Sequence, residues 1–272
     1  MKIQDIHAIY INLEKDREKR NRIEKILKSL KIKNTRQDAV YGKNLENNIY
    51  RNTIAGKIGV PPVQMGIDFW MNRSNFKTMT KYQSAVLPKV GAYLSHLLAI
   101  KKAIDMKLDK VLILEDDIDP LENVNEKFNI PTNTDIFYLG GSFWKKNSLV
   151  DTGTPYISID GDILKMVGGF AYIIPTREKM IEIYNVLMSV FNGGKGHDKH
   201  KDWRSGVPKM RAQAIDLMYV NHYQKNGNCY VVNPVRISHK ELGSNIENNR
   251  KRYKIDHFLT DTHKNHIRPL FQ

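Results

Sequence analysis

The stretch Val111-Leu112-Ile113-Leu114-Glu115-Asp116-Asp117-Ile118-Asp119-Pro120 limits the possible folds more than any other part of the chain. Four consecutive apolar residues predict a short strand covered on both faces, as strands are in sheets flanked by helices. Three carboxylates follow at once. Left inside a sheet, their repulsion and desolvation would cost several kcal/mol. The triplet is therefore expected where the strand emerges at its C-terminal end, which is where open α/β sheets bind ligands. Carboxylates there suit a hard cation, because magnesium and manganese are held by one or two of them together with phosphate oxygens. The alternative reading of the same residues is a solvated acidic turn.

Charge narrows the choice of partner without making it. A formal charge of +14 over 272 residues, from 43 Lys and Arg against 29 acids, favours something anionic: nucleic acid, an acidic membrane surface, or a phosphorylated or nucleotide-linked substrate. Met1-Lys2-Ile3-Gln4-Asp5 lacks the apolar core of a signal peptide, and no apolar run approaches the ~18 residues of a membrane span. Cys229 is the single cysteine, which excludes an internal disulfide. These features lead us to expect a cytoplasmic protein, with at most peripheral membrane contact. No internal repeat or composition break divides the chain, so a single domain over 1–272 is expected.

Ile6 to Ile11 reads as a first strand ending at Asn12. Ile23, Ile26, Leu27 and Leu30 fall at i, i+3, i+4 and i+7, predicting an amphipathic helix from Asp16, its N-cap, to about Leu30. A second strand is expected from Thr35 to Val40. From Lys43 to Lys89 the pattern fades into Asn-rich turns and the Pro61-Pro62 break, consistent with a long functional loop or with helix whose signal is weak. Leu94, Leu97, Leu98 and Ile104 predict a helix over Ala92–Met106 that leads into the acidic strand. Further strands are expected at Asp135–Leu139, Phe170–Ile174 and Cys229–Asn233. Asp160-Gly161 marks a hairpin within Ser158–Leu164. Pro175-Thr176 opens a helix, and another runs from about Met210 to Lys225. The glycine-rich, basic segment 192–206 reads as a lid, and 236–272 as a basic C-terminal tail.

Several side chains are placed to carry chemistry. Glu115 and Asp117, two apart, point the same way only while the backbone stays extended, so this pairing expects the strand to continue to Asp117. Asp117 is then the metal ligand, with Asp116 or Glu115 holding a sugar hydroxyl or a second coordination position. Ser95 and His96 could donate to phosphate oxygens from a helix, or be satisfied structural residues. His197, Asp198, His200 and Asp202 suggest zinc only weakly, since the histidines are three apart in a glycine-rich segment without helical support. Asp216 is an acid among apolar neighbours, Ala214-Ile215-Asp216-Leu217-Met218, and is either an exposed face residue or a placed one. Arg17 and Arg20, near the start of the first helix and the end of strand one, could reach a diphosphate.

Taken in order, these pieces resemble glycosyltransferase family 25, the lipooligosaccharide-biosynthesis and collagen-galactosyltransferase family. The resemblance rests on Ile9-Tyr10-Ile11-Asn12-Leu13 with Asp16-Arg17 and Arg20, on Asp38-Ala39-Val40-Tyr41-Gly42, and on Gly91-Ala92-Tyr93-Leu94-Ser95-His96. It continues through Leu112 to Asp117, Gly169 with Ala171-Tyr172-Ile173-Ile174, Asp216, and Ser244-Asn245-Ile246. Family members commonly have Glu where Lys89 stands, Cys where Ala92 stands and Gln where His239 stands, and 43–90 matches nothing familiar, so it is taken as a variable insertion.

The resemblance implies a GT-A type fold, α/β with a Rossmann-like mixed sheet flanked by helices, holding a UDP-sugar across the strand ends. It implies that manganese or magnesium bridges the donor diphosphate and Asp117, with Glu115 as a further ligand. Asn12, Leu13, Arg17, Arg20, Ser95, His96, Glu115 and Asp116 would then contact the donor. The implied reaction inverts the anomeric carbon of a hexose, galactose foremost, on transfer to a hydroxyl of a glycan or protein acceptor. Asp216 is the base that the family pattern suggests. Two rival readings are a basic nucleic-acid-binding protein, for which no known motif or basic stripe is present, and an inactive family member serving as a scaffold. A metal-dependent phosphotransferase would need a glycine-rich phosphate loop that the sequence lacks.

Overall fold

The computed structural model describes residues 1–61, 79–144, 154–161, 165–189 and 214–239. Among these residues the strands and α-helices are ordered β1 (Ala8–Asn12), α1 (Arg17–Ser29), β2 (Asn34–Asp38), α2 (Asn48–Ile58), α3 (Met79–Asp105), β3 (Val111–Glu115), β4 (Ile118–Pro120), β5 (Ile136–Trp144), β6 (Tyr156–Ile159), β7 (Lys165–Ile174), α4 (Arg177–Met188), α5 (Ile215–His222), β8 (Cys229–Val232) and β9 (Ile237–His239). Seven strands form one sheet in the order β2-β1-β3-β7-β5-β8-β6, and β4 pairs with β9 in a small second sheet. β1 runs parallel to both β2 and β3, whereas β7 runs antiparallel to β3 and β5. The expected Rossmann-like mixed sheet flanked by helices is the fold observed.

Alternation along the strands divides the core into two layers. Ile9, Ile11, Val111, Ile113, Tyr138 and Tyr172 face the layer that also holds residues of α2 to α5. Ala8, Tyr10, Leu112, Leu114 and Phe137 face the layer covered by α1 through Ile23, Ile26 and Leu27. Val111 to Leu114 are at most 1% exposed, so the four-residue apolar run is buried on both sides as its composition requires.

Of the alternatives open for the stretch after Lys43, helix is what its described part holds: Asn47 accepts from the Ile49 and Tyr50 N–H groups and caps α2, which ends at Gly59 in a left-handed conformation. Other expectations are corrected. The helix expected from Ala92 begins at Met79 and contains Pro88. The Asp160-Gly161 hairpin does not form, because β6 pairs with β8 rather than β7. Nor is Arg236 the start of a free polar tail: Ile237–His239 pairs with Ile118–Pro120, and Arg236, Ile237 and Ser238 are buried. The helix expected from Met210 is seen as Ile215–His222. The expected lid at 192–206, the segment from 240 onward and the cluster of Ile67, Phe69, Trp70 and Met71 lie outside the described residues. Among the described residues no helix is long and apolar enough to cross a membrane.

Candidate functional site

The chain leaves β1 to form β2 on one side, then crosses back to form β3 on the other. Such a reversal of strand order separates the connections above and below the sheet and opens a crevice at the carboxyl ends of the strands. A cleft of about 740 Å³, open solvent included, occupies that position. Ile11, Asn12 and Leu13 line it from the end of β1, Ala39 to Lys43 from the segment after β2, and Glu115 to Asp117 from the end of β3. Asp16 and Lys19 of α1 and Pro88, Ala92, Ser95 and His96 of α3 complete the wall.

The strand stops at Glu115, and Asp116-Asp117 form a turn, so Glu115 and Asp117 do not share an extended backbone. All three carboxylates nonetheless reach the cleft. The turn is held from the α1 side. Arg22 donates from Nη1 to the Ile118 carbonyl at 2.6 Å and from Nη2 to Asp119 Oδ1 at 2.8 Å. Asn12 Nδ2 donates to Asp116 Oδ2 at 2.7 Å and to the Asp16 carbonyl at 3.2 Å. Lys19 Nζ stands 3.8 Å from Asp116 Oδ1 and 3.9 Å from Asp117 Oδ2. His239 sits opposite Ile118 in the β4–β9 register, and its Nε2 is 3.0 Å from Asp117 Oδ2.

Two groups carry the electrostatic signature of this crowding. Burial pushes the Asp116 carboxyl up to about 6, with the neighbouring Asp117 and Glu115 adding to the rise, against the opposing pull of Asn12 and Lys19. For His239, burial alone would lower the imidazole, but the hydrogen bond and charge of Asp117, with Glu115 behind it, outweigh burial and raise it. Even so, Asn12 Oδ1 and Asp117 Oδ1 are buried with no hydrogen-bond partner among the described residues. Buried acceptors without partners are rare in folded proteins and call for an explanation.

The carboxylate turn fits a hard divalent cation, since oxygen donors converge there and Asp117 Oδ1 has a lone pair unused. Among the described residues no group of three or more His, Cys, Asp or Glu is placed to hold a metal ion. A magnesium or manganese site commonly has only one or two carboxylates, with substrate oxygens and water making up the rest.

The other residues named from sequence take different places. Ser95 is buried; its Oγ accepts from the Val40 N–H at 2.8 Å and donates to the Gly91 carbonyl at 2.7 Å. It thereby ties α3 to the segment that forms one cleft wall. A Cβ on Gly91 would lie 2.5 Å from the Val40 carbonyl oxygen, so the close approach of helix and loop requires glycine there. His96 lines the cleft and is itself buried. Arg17 and Arg20 do not line the cleft; Arg20 pairs with Glu24 at 2.9 Å along the helix. Asp216 does not line it either. It stands in the first turn of α5, where Oδ2 accepts from the Gly168 N–H at 3.2 Å. Leu114 lies opposite Ala171, so the Gly168 end of β7 is at the same end of the sheet as the carboxylates.

Lys19, Arg22 and His239 were not singled out as site residues by the sequence reading. For the first two a signal existed: each stands four residues before a buried isoleucine, Ile23 and Ile26, so each extends the inward stripe of α1. A cation on that stripe has to meet something charged. His239 is brought to Asp117 by a strand pairing 121 positions away in register from Ile118 (239 − 118), which no local pattern announces.

Fold and cleft together define a class: α/β proteins whose ligand crevice opens at the switch point of the sheet over a turn of carboxylates. The model of glycosyltransferase family 25, described as LPS biosynthesis protein, matches residues 5–152, more than half of the chain. The chain belongs to glycosyltransferase family 25. A glycosyltransferase 25 family member of Drosophila pseudoobscura pseudoobscura is 25% identical over 240 residues, a match covering 80% of this chain and 35% of that protein. The chain therefore spans about a third of the length of this relative. The family match takes in Asn12, Lys19 and the carboxylate turn, while Asp216 and His239 lie beyond it.

Proposed function

We propose that the chain transfers a hexose, galactose foremost, from a UDP-sugar to a hydroxyl of a glycan or protein acceptor, with a divalent cation and with inversion at the anomeric carbon. The observation that carries this reading is the buried, unpaired Asp117 Oδ1 beside two more carboxylates at the switch point of the sheet. That acceptor needs a partner, and a divalent cation bound with a diphosphate would suit both the family and the position.

Asp117 and Glu115 would hold manganese or magnesium, which when bound neutralises charge on the departing diphosphate. Lys19, inward on α1, supplies a second positive charge on the same side of the turn. Asn12 keeps Asp116 turned toward β1, and Arg22 fixes the backbone of the turn through Ile118 and Asp119. The apolar wall of Ile11, Leu13, Ala39 and Val40 offers a surface for a nucleobase.

In the reaction the acceptor oxygen attacks the anomeric carbon and forms the new C–O bond as the bond to the phosphate oxygen breaks. UDP leaves with that electron pair, and the acceptor proton passes to a base, for which Asp216 is our candidate. Its carboxylate is steadied by backbone N–H groups of Gly168 and Leu217.

A thermal-shift screen of nucleotide sugars, run with manganese and with a chelator, tests the reading. A true donor raises the melting temperature only with the metal present, because only ligands that bind the folded state stabilise it. If no nucleotide sugar moves the transition in either condition, the reading fails. A steep loss of nucleic-acid affinity with salt, independent of metal, would instead support the basic nucleic-acid binder.

A further inference from the structure

A chain of two tyrosine hydroxyls, an imidazole and a carboxylate runs from the interior to the cleft. Side chains alternate along β3, so Glu115 follows Val111 and Ile113 toward the layer that α3 covers. There its Oε1 faces His96 Nε2 across 3.4 Å. The other ring nitrogen, Nδ1, is 2.9 Å from the Tyr172 hydroxyl, which is in turn 2.9 Å from the Tyr219 hydroxyl. The His96 and Tyr172 rings stack, with centroids 5.8 Å apart and planes within 17°. His96, Tyr172 and Tyr219 are 2%, 0% and 1% exposed, whereas the Glu115 side chain is 35% exposed.

Packing alone does not account for this arrangement. Phenylalanine at 172 and 219 would fill nearly the same space without the desolvation cost of two hydroxyls, which are tolerated only because each is bonded. The hydrogen-bonding capacities also give the chain a direction. Because a carboxylate can only accept, a neutral imidazole places its proton on Nε2, the nitrogen 3.4 Å from Glu115. Nδ1 then accepts from the Tyr172 hydroxyl, whose oxygen accepts from Tyr219. Burial raises both tyrosine hydroxyls well above their ordinary range, which keeps them as donors. Neither tyrosine lines the cleft. Tyr219 belongs to α5, three residues after Asp216, so the chain also ties that helix to α3 and β7.

We propose that Tyr172 and Tyr219 are positioning residues, which fix the His96 ring as the Nε2–H tautomer and so hold the Glu115 carboxylate toward the donor. This rests on the reading of the cleft as the donor site. The chain's far end is anchored in the core and its near end meets the ligand, the arrangement by which outer residues orient a ligating group.

Two measurements test it. Nitrogen-15 NMR of the wild-type chain is expected to show His96 with a pyrrole-type Nε2 and a pyridine-type Nδ1; the reversed tautomer or a doubly protonated ring overturns the proposal. UDP affinity is then measured with manganese for wild type, Tyr172→Phe, Glu115→Gln and the double variant. Loss of one hydroxyl at 172 is expected to weaken UDP by about tenfold, Glu115→Gln by at least as much, and the double variant no further than Glu115→Gln alone. Additive losses, or an unchanged affinity in Tyr172→Phe, overturn it, because a merely structural tyrosine would not be coupled to Glu115. Tyr219→Phe, one bond more remote, is expected to act in the same direction but less strongly, and it serves if Tyr172→Phe does not fold. A wild-type chain that binds no nucleotide overturns the donor reading and the inference with it, whereas binding with additive losses overturns the inference alone.

Discussion

At the end of β3 and just behind it, the molecule handles buried polar groups in two opposite ways. In the carboxylate turn, Asn12 Oδ1 and Asp117 Oδ1 have no partner among the described residues, and Asp116 is pushed up to about 6 by burial first, its acidic neighbours adding to the rise. In the chain of Tyr219, Tyr172 and His96, each hydroxyl and ring nitrogen has a neighbour within 3.4 Å. The difference is that the first is incomplete within the protein and the second is closed. Buried groups that lack partners cost free energy that folding alone does not recover, so an incomplete cluster at a switch point is best explained by what it binds. A complete cluster is explained by what it holds in place.

That contrast is open to direct attack by substitution. Asp117→Ala removes the incomplete group itself and is expected to take sugar transfer and metal-dependent UDP binding below detection, while circular dichroism and the unfolding midpoint stay near wild type; normal turnover would break the contrast. Asp216→Asn addresses the reaction rather than the donor. We expect transfer to slow by about 10²–10⁴-fold with UDP affinity kept, and a wild-type rate would remove Asp216 as the base.

Smaller effects sharpen the picture of the turn. Arg22→Met leaves Asp119 buried without its cation and the Ile118 carbonyl without its donor. It should cost about 2 kcal/mol of stability, read as a lower urea midpoint at unchanged slope. Lys19→Met is the finest test, because two effects of opposite sign are expected. Removing a cation 3.8–3.9 Å from Asp116 and Asp117 should tighten manganese binding a few-fold in the absence of nucleotide, measured by electron paramagnetic resonance. The same change should weaken UDP a few-fold, since one positive charge facing the diphosphate is gone. Changes of the same sign in both would show that Lys19 only shapes the turn.

The comparison also explains how much was legible in the sequence. Features set by local pattern could be read directly: the run Val111 to Leu114 predicted a strand buried on both faces, and the spacing of Ile23, Ile26 and Leu27 predicted the buried face of α1. The carboxylates were correctly expected at the strand's end, though not that the strand would stop at Glu115. What escaped depended on distant partners or on conflicting local signals. The helix expected only from Ala92 takes in Pro88 and Gly91 as part of α3, where Gly91 permits the contact with Val40. Asp160-Gly161 has a hairpin's chemistry, and Gly161 adopts the left-handed φ of 72° that it allows, but the strand it follows pairs with β8. For the candidate site, the reading chose Arg17 and Arg20 by nearness in sequence, whereas the helical phase turns Lys19 and Arg22 inward. His239 was named only as a departure from the family pattern, because it is the β4–β9 pairing that brings it to Asp117. The tyrosine chain was likewise invisible, since apolar strand and helix positions look the same whether or not their hydroxyls meet.

The central claim, that the turn at Glu115-Asp116-Asp117 is completed by a cation and a diphosphate, is tested most directly by calorimetric titration of UDP into the wild-type chain with manganese and again with a chelator. Saturable binding with manganese that disappears when the metal is removed is the predicted result. Equal binding in both conditions, or none in either, would contradict it.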